Sequence, residues 1–127
     1  MARKLKILIT DDSSLLRRKL RDELERLDCE VVEAANGKEA VMECLREKPD
    51  GIILDIVMPE INGVEALRAI REICPDMQVI MLSSTGSADN LIETLKLGAM
   101  DFIQKPYTKE QIEMVVKRLR KRVQLDA

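Results

Sequence analysis

Three aspartates, a serine and a lysine are the residues whose types and placement could do chemistry in this chain, and no histidine accompanies them. Asp11 and Asp12 follow the apolar run "ILIT", and Asp55 stands inside a second apolar run, "GIILDIV". Ser83 ends a third, "MQVIMLS", and Lys105 follows a fourth, "DFIQ". Two like charges about 4 Å apart repel by about 4 kcal/mol at an effective dielectric of about 20, so paired acids at the end of a buried run need something that offsets the repulsion. Carboxylates grouped without imidazole or thiolate form a hard, all-oxygen site that favours Mg2+. An ammonium and a hydroxyl opposite them are suited to holding phosphoryl oxygens.

The elements that must bring these groups together can be read from periodicity. Strands are expected at Leu5 to Thr10, Glu30 to Ala34, Gly51 to Val57, Met77 to Ser83 and Asp101 to Gln104. A helix follows the first strand, with Leu16, Leu20, Leu24 and Leu27 on one stripe. The second helix opens at Asn36 as N-cap and carries Ala40, Val41, Cys44 and Leu45 inward. Asn62 with Glu65 reads as the capping box of a third helix that points Leu67 and Ile70 inward and ends at Pro75. "SADNLIETLKLGA" is a fourth helix closing near Gly98. Thr108 with Gln111 starts a fifth, with Ile112, Val115, Val116, Leu119 and Val123 inward. Strands alternating with helices over short loops predict one open parallel α/β sheet covered on both faces. Ligands of such sheets sit beyond the carboxyl ends of the strands, and all five polar residues lie at or near those ends, Asp55 within the last residues of its strand.

Composition narrows the function classes. A chain of 127 residues, 46% apolar and 35% charged, suits one packed domain, taken here as residues 1–127. A net charge of −2 gives no overall pull toward nucleic acid or anionic lipid. Phe102 and Tyr107 are the only rings, too few for a base-stacking platform. No apolar run approaches the roughly 20 residues of a membrane span. Without histidine, Ser-His-Asp and Cys-His catalysis and histidine metal sites are excluded. Cys29, Cys44 and Cys74 are odd in number and widely spaced, which reads as reduced, buried thiols in a cytoplasmic protein.

The segments "TDDSSLLRR", "LDIVMPEINGVE", "MLSS" and "DFIQKPY" resemble the motifs of response-regulator receiver domains of two-component signalling, chemotaxis regulators included. The resemblance covers essentially the whole chain. Ser83 and Lys105 follow Asp55 by 28 and 50 residues, which fits the family. It implies a flavodoxin-like, doubly wound sheet of five parallel strands in the order 2-1-3-4-5 with five helices. It further implies that Asp55 is the phosphoacceptor, taking a phosphoryl group from a sensor histidine kinase or phosphotransfer protein. Asp12, Asp55 and the Val57 backbone carbonyl would ligate magnesium, with Asp11 acting through a bound water. Lys105 would contact a phosphoryl oxygen, and the Ser83 hydroxyl would swing toward the new group. Phe102 would then turn inward, changing the face of the fourth helix, fifth strand and fifth helix that a downstream protein reads. Val57 and Thr85 occupy positions that tune hydrolysis. The family picture has no direct nucleic-acid or membrane contact, and a monomer or weak dimer: Met100 in "GAMDF" replaces one of two acids common on a dimer face of related transcription factors.

Simpler roles stand beside these. Asp11 and Asp12 could cap the first helix, Asp12 doing so as well as binding metal. Lys105 could be an ordinary surface lysine, Ser83 a hydroxyl bonded to local backbone, and Phe102 a half-buried core ring. "KRLRKR" suits the solvated end of a helix better than a nucleic-acid patch. A haloacid-dehalogenase-like phosphatase is the alternative function. It wants a second acid two residues past Asp55, where this chain has Val57. A flavodoxin-like flavin binder would meet the repulsive pair Asp11 and Asp12 where its phosphate loop should lie.

Overall fold

A computed structural model describes residues 3–58, 60–84 and 88–123. The elements are β1 (Leu5–Thr10), α1 (Ser14–Arg26), β2 (Cys29–Ala34), α2 (Gly37–Glu47), β3 (Gly51–Asp55), α3 (Gly63–Ile73), β4 (Gln78–Ser83), α4 (Ala88–Lys96), β5 (Asp101–Gln104) and α5 (Lys109–Val123). The strands pair in parallel in the order β2-β1-β3-β4-β5, as expected.

Strand side chains alternate between two cores. Ile7, Ile9, Ile53 and Ile80 pack with Leu20 and Leu24 of α1 and with Ile112, Val116 and Leu119 of α5. Leu8, Ile52, Leu54 and Met81 pack on the other face with Ala40 and Cys44 of α2 and Leu67 and Ile70 of α3. Each fully buried Leu or Ile contributes roughly 1.5–3 kcal/mol through water-excluded area. Every residue of β3 is buried, because β3 lies at the centre of the sheet with helices on both sides.

The caps set where each helix begins. Ser13 caps α1, its side chain accepting from Leu16 N–H at 3.3 Å. Asp12 therefore does not cap α1, contrary to the role allowed it above, and Asp11 instead accepts from Ser13 N–H at 2.9 Å. Asn36 and Asn62 cap α2 and α3 as expected. Thr108 and Gln111 form a reciprocal box, with bonds of 2.8 and 3.1 Å. Gly98, at φ +82°, closes α4 in the left-handed conformation that a side chain would strain.

Three boundaries differ from expectation. β3 stops at Asp55 rather than Val57, because only Ile56 N–H continues the ladder, to Leu82 O at 3.0 Å, before the chain turns away. β2 starts one residue earlier, at Cys29, and β4 one later, at Gln78. Leu16 and Leu45, expected inward, are exposed: both lie at the margin of their helical stripe, beyond the reach of the sheet. Val123 is only partly buried.

Candidate active site

Ladder bonds run past the strand ends and hold the polar residues in register. Asp11 N–H donates to Ala34 O at 3.3 Å, Ile56 N–H to Leu82 O at 3.0 Å and Lys105 N–H to Ser83 O at 2.7 Å. The residues immediately beyond β1, β3 and β5 are thus fixed by the sheet rather than by loop packing. Arg17 of α1 reinforces the first of them, donating to the Asp11 carbonyl at 2.6 Å while its Nε contacts Glu33 at 3.0 Å.

The three carboxylates converge. Asp11, Asp12 and Asp55 can each present one oxygen such that all three lie within 4.8 Å of one another. Asp11 and Asp55 are buried and Asp12 is exposed, so the cluster is open on one side. The Lys105 ammonium reaches in from the far side, 2.9 Å from Asp11 Oδ2 and 3.4 Å from Asp55 Oδ2. Its side chain is only 16% exposed, so the ordinary surface reading does not describe it.

The electrostatics follow from this count of charges. Three formal negative charges face one positive charge, leaving an excess that a divalent cation would balance. Burial pushes the Asp55 carboxyl above the usual range, and the neighbouring Asp11 charge adds to that, against the pull of Lys105 and the Val57 N–H. Burial alone would lower the Lys105 ammonium, but its hydrogen bond to Asp11 and the charges of both carboxylates raise it. Lys105 is pulled up by both acids, yet Asp55 is not pulled down. One ammonium shared between two buried carboxylates satisfies Asp11 better, and Asp55 is left under-compensated.

The other expected site residues are placed as follows. Ser83 is fully buried at the end of β4, one strand from Asp55. Val57 is 52% exposed, and its N–H donates to Asp55 Oδ1 at 3.3 Å. Phe102 is half-buried against the α2–α3 core. Thr85 lies outside the described residues. On α5, "KRLRKR" puts Leu119 in the core and Lys117, Lys121 and Arg122 outward, the solvated-helix arrangement.

Two residues at the site were not singled out by sequence. Arg17 is one; its signal was a cation in the second turn of α1, on the side facing β2. Gly63 is the other. Its N–H donates to Ile56 O at 2.7 Å, and a Cβ there would fall 2.6 Å from Ile56 Cα and overlap the Asp55 carbonyl. A glycine immediately after an N-cap, where a good helix former is the usual choice, was the available hint.

Comparison with known proteins decides the family. The description "Response regulator receiver domain" matches residues 7–117. This chain belongs to that family. The receiver is 40% identical over 108 residues to the "Chemotaxis protein CheY" of Thermotoga maritima, covering 84% of this chain and 90% of that one. It is 47% identical over 105 residues to a "Protein-glutamate methylesterase/protein-glutamine glutaminase" of Archaeoglobus fulgidus, covering 80% of this chain and 30% of that longer protein. The solved response regulator domain of Thermotoga maritima CheB superposes on it with a TM-score of 0.81 at 36% identity, covering 98% of this chain and all of that one. The receiver is therefore a two-component, chemotaxis-like signal-transduction domain. The haloacid-dehalogenase alternative finds no support among these matches. No helix among the described residues is long and apolar enough to cross a membrane.

Proposed function

We propose that this receiver is a phosphorylation-driven switch, with residues 1–127 acting as one domain and Asp55 as the phosphoacceptor. An Asp55 oxygen attacks the phosphorus of a phosphohistidine on a sensor kinase or phosphotransfer protein. The new O–P bond forms as the N–P bond breaks, and the departing imidazole takes up a proton. The observation that carries this reading is the buried carboxylate of Asp55, held 3.4 Å from the Lys105 ammonium and beside two further acids that follow the adjacent strand.

Asp11, Asp12 and Asp55, with the Val57 carbonyl, are the groups that would hold Mg2+. Their all-oxygen chemistry and excess negative charge fit that ion. When bound, the ion supplies charge neutralisation and an anchor for phosphoryl oxygens. Lys105 neutralises one of the phosphoryl oxygens, and Ser83 donates to another. Val57, exposed and apolar, borders the path of an attacking water, and Val57 and Thr85 are the two positions that tune the lifetime of the aspartyl phosphate in the family picture.

The output surface is the face of α4, β5 and α5. Ile92 and Leu95 of α4 and Met114 of α5 are more than half exposed, which supports docking of a downstream protein there. Phe102, at the centre of β5, is the ring whose inward movement would change that face. The reading places the protein in the cytoplasm as a monomer or weak dimer, with neither nucleic acid nor membrane as a direct partner.

A burst assay separates a switch from a phosphatase. With acetyl phosphate and Mg2+, phosphate uptake should rise to one equivalent per chain and plateau, with slow release. Continuous multi-turnover hydrolysis of acetyl phosphate or of other phosphomonoesters, without a stable phosphoprotein, would contradict the proposal.

A further inference from the structure

Two cysteines on different helices meet where α2 and α3 end. Cys44 is buried on the inner side of α2, one turn before that helix closes, and Cys74 is the C-cap residue of α3. Both are free thiols, with sulfurs 3.4 Å apart and Cys44 as donor to Cys74. The same two helices approach closely near their starts, where a Cβ on Gly37 would lie 3.2 Å from the Ala66 side chain. The sulfur contact thus belongs to a tightly packed helix pair. Buried cysteine alone is most often a small apolar filler. Two features distinguish this pair. Cys74 is only half-buried and lines a surface cleft of about 430 Å³ beside Pro75, Gln78 and Arg122. It also sits outside the regular helix, at φ −135° and ψ 76°, so its side chain is not bound to a helical rotamer.

We propose that Cys44 and Cys74 form an oxidisable pair that a small-molecule disulfide converts to an intramolecular bridge joining α2 to α3. The Cys74 thiolate attacks one sulfur of the reagent, forming a mixed disulfide and releasing one thiolate. Cys44 then attacks the Cys74 sulfur, and the second reagent thiolate leaves. The two protons lost by the protein thiols pass to the two released thiolates. Both protein sulfurs are thereby oxidised and one reagent disulfide is reduced to two thiols. Bond formation requires the sulfurs to approach by a further ~1.4 Å, to the usual separation of about 2.05 Å.

The order of the steps follows from access. Burial, and then the neighbouring Cys74, pushes the Cys44 thiol up to about 12, so Cys44 does not open the sequence; it attacks second, once Cys74 is tied up in the mixed disulfide and no longer opposes loss of the Cys44 proton. Cys74, half-buried and bordering the cleft, is the cysteine of the pair that the reagent meets first. Cys29 is the internal control: it lies on the opposite face of the sheet, in the α1–α5 core, and is buried. In a reducing compartment such a bridge is a reversible response to oxidant rather than a permanent staple. It lies at the carboxyl ends of the helices, away from the acid cluster, and does not depend on the role of Asp55.

The test is incubation of the reduced, full chain with glutathione disulfide, followed by non-reducing intact mass and peptide mapping. The expected product has lost two hydrogens, retains no glutathione and yields one cross-linked pair of peptides containing Cys44 and Cys74. Dithiothreitol should reverse it, and the oxidised form should melt roughly 10 °C higher than the reduced form. Cys29→Ser should close as the wild type does. Cys44→Ala should stop at a glutathione adduct on Cys74. An unchanged wild-type mass, a persistent glutathione adduct on the wild type, or a bridge through Cys29 would overturn the proposal. The wild-type and Cys29→Ser results decide it even if Cys44→Ala does not fold.

Discussion

The Lys105 ammonium lies 2.9 Å from Asp11 Oδ2, closer than its 3.4 Å approach to Asp55 Oδ2. Lys105 is thus held in reach of Asp55, the phosphoacceptor of the proposal, by the neighbouring carboxylate of Asp11. One cation serves as counter-charge to the acid cluster and as a ready partner for an incoming anion. These two roles respond oppositely to its removal. In Lys105→Met the cluster loses the cation paired with its Asp11 and Asp55 carboxylates, so Mg2+ should bind roughly five-fold tighter by calorimetric titration. Phosphate uptake from acetyl phosphate should fall at least about ten-fold in the same variant. Weaker Mg2+ binding would show that Lys105 organises the metal site rather than opposing it.

The state of Asp55 should be visible in stability. Its carboxyl is raised above the ordinary range by burial and by Asp11. A raised carboxyl means that the folded protein holds the proton more readily than the unfolded chain. The ionised form therefore costs stability, fully above the folded-state pKa, and the cost disappears as the pH falls toward the ordinary value of about 3.9. In EDTA at neutral pH, Asp55→Asn should melt a few degrees above wild type, roughly, with the gap narrowing on acidification. A wild type at least as stable as Asp55→Asn at neutral pH would contradict this account of the electrostatics.

Gly63 tests the coupling between α3 and the site. The close approach of its Cα to Ile56 and to the Asp55 carbonyl leaves no room for a methyl group. Gly63→Ala should cost about 1–3 kcal/mol or more in chemical denaturation, outweighing the gain in helix propensity. Because the strain falls on the Asp55 backbone, phosphate uptake should slow as well if Asp55 is the phosphoacceptor proposed above. An alanine variant within about 0.5 kcal/mol of wild type would show that the turn relaxes freely.

Val57 is 52% exposed and has no polar side-chain atom to offer an attacking water. Val57→Asn should shorten the lifetime of the aspartyl phosphate several-fold, measured as phosphate release after the donor is removed. An unchanged or longer lifetime would remove Val57 from the residues that tune hydrolysis.

Much of this architecture was legible in the chain because its signals are local. "GIILD" is a continuous apolar run ending in an acid, which only a central, doubly covered strand accommodates. Asn36, Asn62 and Thr108 mark helix starts through bonds that span three residues. The convergence of Asp11, Asp12, Asp55 and Lys105 was readable once the strands were parallel, because each sits at the same end of its strand. What escaped depends on contacts between distant segments. That Ser13 rather than Asp12 caps α1 turns on a choice between adjacent, equally competent residues. The burial of Lys105 depends on its side chain reaching Asp11 and Asp55, acids at the ends of two other strands. The meeting of Cys44 with Cys74 depends on how α2 packs on α3, which no spacing within either helix records.

The central claim is that Asp55 alone receives the phosphoryl group, on an acid cluster that needs a divalent cation. Intact mass after treatment with acetyl phosphate tests it most directly, on wild type with Mg2+, on wild type with EDTA, and on Asp55→Ala with Mg2+. The account predicts one added phosphoryl group in the first sample and none in the other two. A phosphoryl group on Asp55→Ala, or equal incorporation in EDTA, would contradict it.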